Sequence, residues 1–104
     1  MIRPLLPVAL ALAIGPGSPA GAQGSESTLG RNLAAACANC HGTNGSSQPG
    51  MPSLAARERS YLVQQMQDFK TGKRPATVMR QIARGYTDGQ IEAIAAYLSR
   101  QKAR

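Results

Sequence analysis

Once its first residues are set aside, this chain has little left with which to build a core. Arg3 gives a positively charged start. Leu5 to Ile14 form a short apolar run interrupted by Pro7, and Gly15, Pro16, Gly17 and Pro19 then break any helix. Ala20-Gly21-Ala22 supplies the small-x-small pattern that a signal peptidase reads. The sequence predicts an export leader over residues 1–22, cleaved after Ala22. An uncleaved anchor is the rival reading, but the apolar run is shorter than the ~20 residues a helix needs to cross a bilayer. The mature chain would be residues 23–104, or 82 of the 104 residues. A domain of that size buries a small share of its surface, and its own core rarely supplies more than about 3–5 kcal/mol. Phe69, Tyr61, Tyr86 and Tyr97 are its only aromatic residues. A disulfide between Cys37 and Cys40 would close too small a loop to help. Such a chain calls for a large apolar prosthetic group tied into its core.

Residues 37–41 offer the means. Cys37-Ala38-Asn39-Cys40-His41 is C-x-x-C-H, the attachment pattern of c-type haem. Two thiols three residues apart at the end of a helix can each add to one vinyl group of the same porphyrin. The next residue, His41, is then placed to offer its imidazole to the iron. Covalent capture also suits an exported protein, which would otherwise lose a dissociated haem. Three rivals explain less. A thioredoxin-type C-x-x-C needs a βαβ context, and no segment here reads as a strand. A zinc site usually takes four Cys or His ligands, and this chain has only Cys37, Cys40 and His41. A plain disulfide leaves His41 without a role.

The second axial ligand is less constrained. His41 is the only histidine in the chain, which excludes a bis-histidine site. A methionine thioether opposite a histidine raises the reduction potential. Met51, Met66 and Met79 are the candidates after cleavage. Met66 shares an apolar stripe with Leu62 and Phe69 and reads as core filler. Met51 follows His41 so soon that it is poorly placed to reach the opposite haem face. Met79 lies beyond a whole helix, with enough chain to come round. Spacing favours Met79, with a gap-filling role as its alternative.

The coarse organisation is helical. A first helix is expected over residues 28–37, with Leu29 and Leu33 on one face. Residues 42–53 form a loop dense in Gly, Pro, Asn and Ser. Ser60 is placed to cap a second helix, whose stripe is Leu62, Met66 and Phe69 and whose stop is Gly72. A short helical stretch from Val78 to Arg84 ends at Gly85. Thr87-Asp88-Gly89-Gln90 fits a capping box, with Tyr86 and Ile91 placed as a hydrophobic staple. Ile91, Ile94, Ala95 and Leu98 line one face of the last helix, and Glu92, Ser99 and Arg100 its polar side. The expected fold is all-α: four or five short helices around one covalently bound haem.

Charge bounds the partners. Of the 12 Lys and Arg only Arg3 lies in the leader, so 11 remain against 5 acids, a net charge of +6. That balance suits an acidic protein surface, or serves solubility alone. Nucleic acid is a poor fit, because the basic residues are dispersed and no nucleic-acid motif is present.

The order helix, C-x-x-C-H, Gly-rich loop, Pro52, helix, Met79 and closing amphipathic helix resembles class I cytochromes c over residues 25–101. His41-Gly42-Thr43-Asn44-Gly45 with Pro52-Ser53-Leu54-Ala55 resembles the cytochrome c4-like group. Phe69-Lys70-Thr71-Gly72 with Thr77-Val78-Met79-Arg80-Gln81-Ile82-Ala83-Arg84-Gly85-Tyr86-Thr87 is similar to the haem subunit of flavocytochrome c sulfide dehydrogenase. The resemblance implies thioethers at Cys37 and Cys40, a proximal ligand in His41 and an iron-ligating methionine in Met79. It implies that the carbonyl of Pro52 steadies the imidazole through its ring N–H. It also implies that Gly30 and Leu33 meet Tyr97 where the first and last helices cross. Dihaem members continue into a second haem domain, whereas this sequence stops at Arg104, so a single-haem subunit is the expectation.

The implied function is outer-sphere transfer of single electrons in the periplasm, and the chain would not be an enzyme by itself. It would serve as the cytochrome subunit that drains an FAD-containing, sulfide-oxidising flavoprotein. A freely diffusing carrier is the alternative, and a ligand-binding haem protein with a labile sixth ligand the third. Arg57, Arg59, Lys73, Arg74, Arg80 and Arg84 are the residues available to steer an acidic partner.

Overall fold

A computed structural model describes residues 25–103 and, ahead of them, only the single positions Ile2, Pro4 and Pro7. The expected leader and its cleavage point otherwise lie outside the described residues. Five helices follow: α1 (Ser25–Ala34), α2 (Ala38–His41), α3 (Arg59–Thr71), α4 (Val78–Arg84) and α5 (Asp88–Ser99). Single 3₁₀ turns at Ala35–Cys37 and Thr43–Gly45 link α1 to α2 and open the following loop. The described residues contain no strand.

Among the described residues α5 holds most of the buried apolar side chains, and it forms the centre of the fold. Ile91, Ala93, Ile94, Ala95, Ala96 and Leu98 are all buried along it. Its start is fixed locally. The Thr87 hydroxyl accepts from the Gln90 N–H at 3.1 Å, and the Gln90 side-chain oxygen accepts from the Thr87 N–H at 2.9 Å. Two of the free donors of a helix start are thereby satisfied. One face of α5 meets α1 and another meets α3, which in turn packs on α4.

The crossing of α1 and α5 depends on Gly30. A Cβ there would stand 2.5 Å from the carbonyl oxygen of Ala93 and 3.1 Å from the Cβ of Tyr97. The face of α1 turned inward is therefore Gly30 and Ala34, both buried, with Leu33 beside them. Leu29, expected to share that face, is 46% exposed. A small residue wins the interface because backbones that approach this closely exclude a leucine. The expected single helix over 28–37 is also corrected: α1 ends at Ala34, and the chain tightens into a 3₁₀ turn before Cys37.

Ser60 does not cap α3. Glu58 is the residue at the cap position, with extended backbone and no side-chain hydrogen bond, and Ser60 is the second residue of the helix. Gly72 does end α3, in the left-handed conformation at φ 83° that a side chain would resist. Gly85 ends α4 in an ordinary right-handed conformation. Of the stripe expected on α3, Leu62 is buried, while Met66 and Phe69 are half-buried.

The core cluster is Ala34, Leu62, Ile94, Ala95 and Leu98, with Leu33, Cys37, Leu54, Val63, Tyr86 and Tyr97 packed against it. Among the described residues, Ile91 is the largest side chain that is fully buried. Polypeptide alone thus supplies a thin, alanine-rich core, and Cys37 enters its wall.

Candidate functional site

The site is built outward from His41. It ends α2, just before a residue that only glycine can occupy. Gly42 has φ 83°, and a Cβ there would stand 2.0 Å from the carbonyl oxygen of Ser46. The chain therefore turns sharply after the imidazole. Gly45 accepts at its carbonyl from the N–H groups of both Leu54 (2.8 Å) and Ala55 (3.2 Å), which closes the loop onto itself. The loop is pinned to α5 at two further points. The Ala56 N–H donates to the Leu98 carbonyl at 3.1 Å, and the Tyr97 hydroxyl donates to the Asn44 side-chain oxygen at 2.6 Å.

The closed loop brings Pro52 to the imidazole. His41 is 8% exposed, and its Nδ1 lies 2.7 Å from the Pro52 carbonyl oxygen. A carbonyl oxygen can only accept, so Nδ1 carries the proton and donates. In the neutral ring that leaves Nε2 with a free lone pair, the tautomer a metal ligand needs.

Cys37 lies one turn before His41 and Cys40 directly before it, and no disulfide joins the two sulfurs. Cys37 is half-buried against the core and Cys40 is exposed. Burial pushes the Cys37 thiol upward, with the neighbouring Cys40 adding to the effect. Burial likewise pushes the Tyr86 phenol upward. Among the described residues no group of three or more His, Cys, Asp or Glu is arranged to hold a metal ion.

Met79 is half-buried on α4, Met66 is half-buried on α3, and Met51 is 40% exposed in the turn before Pro52. On α4, Ala83 is fully buried while Val78 and Ile82 are 63% and 39% exposed. Met79 and Ile82 therefore stand on one shoulder of the helix, with apolar surface available to a flat apolar ring. The donor set fits a covalently held haem: two cysteines not joined to each other, a buried imidazole whose Nδ1 is turned to a carbonyl, thioethers on α3 and α4, and exposed apolar side chains on α4.

Of the basic residues named for steering, Arg59 is paired with Glu92 at 3.0 Å. Arg74 lies over the Phe69 ring, 4.7 Å from its centre, and donates to the Gln65 side chain. Arg57 lies over Tyr61 and reaches the Ser53 carbonyl at 3.3 Å. Lys73, Arg80 and Arg84 are exposed. Lys70, absent from the expected set, donates to the Tyr86 carbonyl at 2.7 Å and sits 3.6 Å from Asp88, joining α3 to the start of α5. Sequence reading also passed over Ser47 and Ser53, which look like ordinary turn formers. They bond to each other across the base of the Pro49-Gly50 turn.

No helix among the described residues is long and apolar enough to cross a membrane. A family model described as cytochrome c matches residues 27–102. The chain is 37% identical over 83 residues to the cytochrome subunit of sulfide dehydrogenase from Chlorobaculum tepidum, covering 80% of this chain and 76% of that protein. It is 39% identical over 96 residues to cytochrome c4 of Pseudomonas aeruginosa, covering 91% of this chain and 47% of the relative. Its fold matches the crystal structure of reduced cytochrome c4 from Pseudomonas stutzeri with a TM-score of 0.69 at 25% identity, over 75% of this chain and 49% of that one. It thus spans about half the length of the cytochromes c4 it matches. With a C-x-x-C-H site on an all-helical frame and these relatives, the chain belongs to the cytochrome c family and carries covalently bound haem c.

Proposed function

We propose that this chain is an exported single-electron carrier whose haem is held by thioethers at Cys37 and Cys40 and ligated by His41 and Met79. The observation that carries the assignment of His41 is its hydrogen bond to Pro52, which holds the neutral imidazole in the tautomer able to bind iron through Nε2; Met79 is supported by its half-buried place on the apolar shoulder of α4. Haem c supplies reversible one-electron chemistry at its iron, with a potential set by axial ligands, burial and hydrogen bonding. The protein's part is to hold that chemistry without adding any other. Pro52 fixes the ring plane of His41. Met79, on the apolar shoulder of α4, would supply the second protein ligand. Two protein ligands would leave the iron no position for a substrate, so the chain passes electrons and is not an enzyme by itself.

The sulfide-dehydrogenase relative supports a role as the cytochrome subunit of a flavoprotein that oxidises sulfide, in the periplasm after removal of residues 1–22. Exposed Lys73, Arg80 and Arg84 would steer an acidic docking face toward it. The similarity to cytochromes c4 favours a second reading, a freely diffusing carrier. The deciding experiment is the absorption spectrum and native mass of the protein purified gently from its source. Flavin co-eluting with haem, at a mass far above one small chain, is the expected result. Haem alone at the mass of one 82-residue chain would overturn the subunit reading and leave the free carrier.

A further inference from the structure

The carbonyl that holds His41 belongs to a proline, and a proline brings no N–H with which to anchor its own peptide. Something else must fix Pro52 at hydrogen-bond distance from the imidazole. The preceding turn does not do so alone. Its single backbone bond, from the Met51 N–H to the Gln48 carbonyl, is 3.3 Å long, and Gly50 at φ 90° leaves the tip unrestrained by side chains.

Two serines close the base of that turn. The Ser47 N–H donates to the Ser53 hydroxyl oxygen at 3.0 Å. The Ser47 hydroxyl donates to the Met51 carbonyl. The two hydroxyl oxygens are 3.0 Å apart. Each hydroxyl has one proton, and that of Ser47 is already given to Met51, so Ser53 must be the donor between them. The direction of every bond is then determined: Ser53 to Ser47, Ser47 to the Met51 carbonyl, and the Ser47 N–H back to Ser53. Both serines are half-buried, and water competes less for the two part-buried bonds between them; the bond to Met51 is exposed. The Met51 carbonyl belongs to the peptide that enters Pro52, and Ser53 is the residue that leaves it. The serine pair therefore ties the chain on both sides of Pro52, through the Met51 carbonyl before it and the Ser53 side chain after it. Arg57 adds a third hold on the far side through the Ser53 carbonyl.

We propose that Ser47 and Ser53 are positioning residues for the haem iron: they act through Pro52 to set the strength of its hydrogen bond from His41, and so tune the reduction potential. The inference rests on His41 being an axial ligand. A strongly held Nδ1–H makes the imidazole a better electron donor to iron and favours the ferric state. Loosening the clamp weakens that bond, so the potential rises.

The test uses the haem-loaded protein and three readouts: the reduction potential, the paramagnetically shifted ring N–H resonance of His41 and its exchange rate, and stability to guanidinium. Ser53→Ala removes the two bonds to its hydroxyl, and Ser47→Ala removes the bond to Met51 and the bond between the hydroxyls while sparing the backbone donor. Both should raise the potential by the equivalent of up to about tenfold in the ferrous-to-ferric ratio, the lower end of what direct loss of such a partner costs. Both should speed exchange of the His41 ring N–H, and Ser53→Thr should restore both values. Thr87→Ala is the control, since it deletes the acceptor of the 3.1 Å bond from the Gln90 N–H at the start of α5, the end opposite Leu98, where the loop is pinned. It should lower stability without moving the potential. If the serine variants lose stability but keep the wild-type potential and ring N–H, the positioning role is overturned. If Ser53→Ala fails to take up haem, Ser47→Ala and Ser53→Thr still decide the matter. A wild-type protein whose His41 shows no paramagnetic shift would overturn the ligand assignment as well; wild-type ligation with unmoved variants overturns the serine assignment alone.

Discussion

Gly30→Ala and Gly89→Ala make the same chemical change in two helices, and the structure predicts opposite outcomes. In a helix interior, replacing glycine with alanine gains about 0.5–1 kcal/mol through reduced freedom of the unfolded chain. At Gly89 nothing lies within 4 Å of the added Cβ, so that gain, reduced by the proximity of the helix end, should appear. At Gly30 the Cβ would stand 2.5 Å from the carbonyl oxygen of Ala93, a backbone atom in the middle of α5 that no rotamer change can move. Ordinary contact begins near 3.4 Å, so α1 and α5 must part by most of an ångström. Forced overpacking of this kind costs about 1–3 kcal/mol, which exceeds the propensity gain. The net expectation for Gly30→Ala is a loss of about 1–2 kcal/mol, or a fall in Tm of about 5–15 °C for a domain of this size. Thermal and guanidinium unfolding followed by far-ultraviolet circular dichroism measures both variants. A Gly30→Ala protein as stable as wild type would show that the α1–α5 contact is not close-packed. Because α1 leads directly into Cys37, the crossing would then not be what positions the haem thiols.

Three further outcomes follow from the same geometry. Thr87→Ala removes the side-chain acceptor at the start of α5 and should cost about 0.5–2 kcal/mol in unfolding free energy, while Thr87→Ser should cost far less; equal losses would dismiss the cap. Asp88 is held below the usual carboxylate range, chiefly by the Gln67 amide and then by Lys70. A depressed folded value means that its stabilisation is complete above the ordinary carboxylate value near 4 and is lost as pH falls through the lower folded one. The stability gap between wild type and Asp88→Asn should therefore be steady at neutral pH and close only in acid, and a gap that does not change with pH would refute the linkage. Reduction by ferrocyanide, an anion, should slow as salt is raised past about 0.1 M, and slow again in an Arg80→Glu, Arg84→Glu double variant; a rate indifferent to both would remove steering by these arginines.

The most legible features were those whose determinants lie within a few residues of each other. The Thr87–Gln90 capping box, the left-handed stop at Gly72 and the C-x-x-C-H pattern each need only one turn of chain. Periodicity misplaced Leu29 on the inner face of α1, whereas the family resemblance put Gly30 at the crossing, where its contact is with Ala93, 63 positions away. No local periodicity could have preferred a glycine over Leu29 there. Ser60 looked like a cap by residue type, but the backbone turns helical one residue earlier, at Arg59. The Ser47–Ser53 clamp was invisible for a different reason. Either serine alone is a common turn residue, and its meaning appears only when the loop brings Met51, Pro52 and His41 into one hydrogen-bonded chain.

The central claim is a six-coordinate iron with Met79 opposite His41. The most direct test is the proton NMR spectrum of the haem-loaded protein, in which the methyl group of an iron-bound methionine is carried far outside the ordinary range by the haem ring and the iron. Wild type, Met51→Ala and Met66→Ala should all retain that resonance, and Met79→Ala alone should lose it. A shifted methyl that survives in Met79→Ala, or vanishes in Met66→Ala, would contradict the assignment.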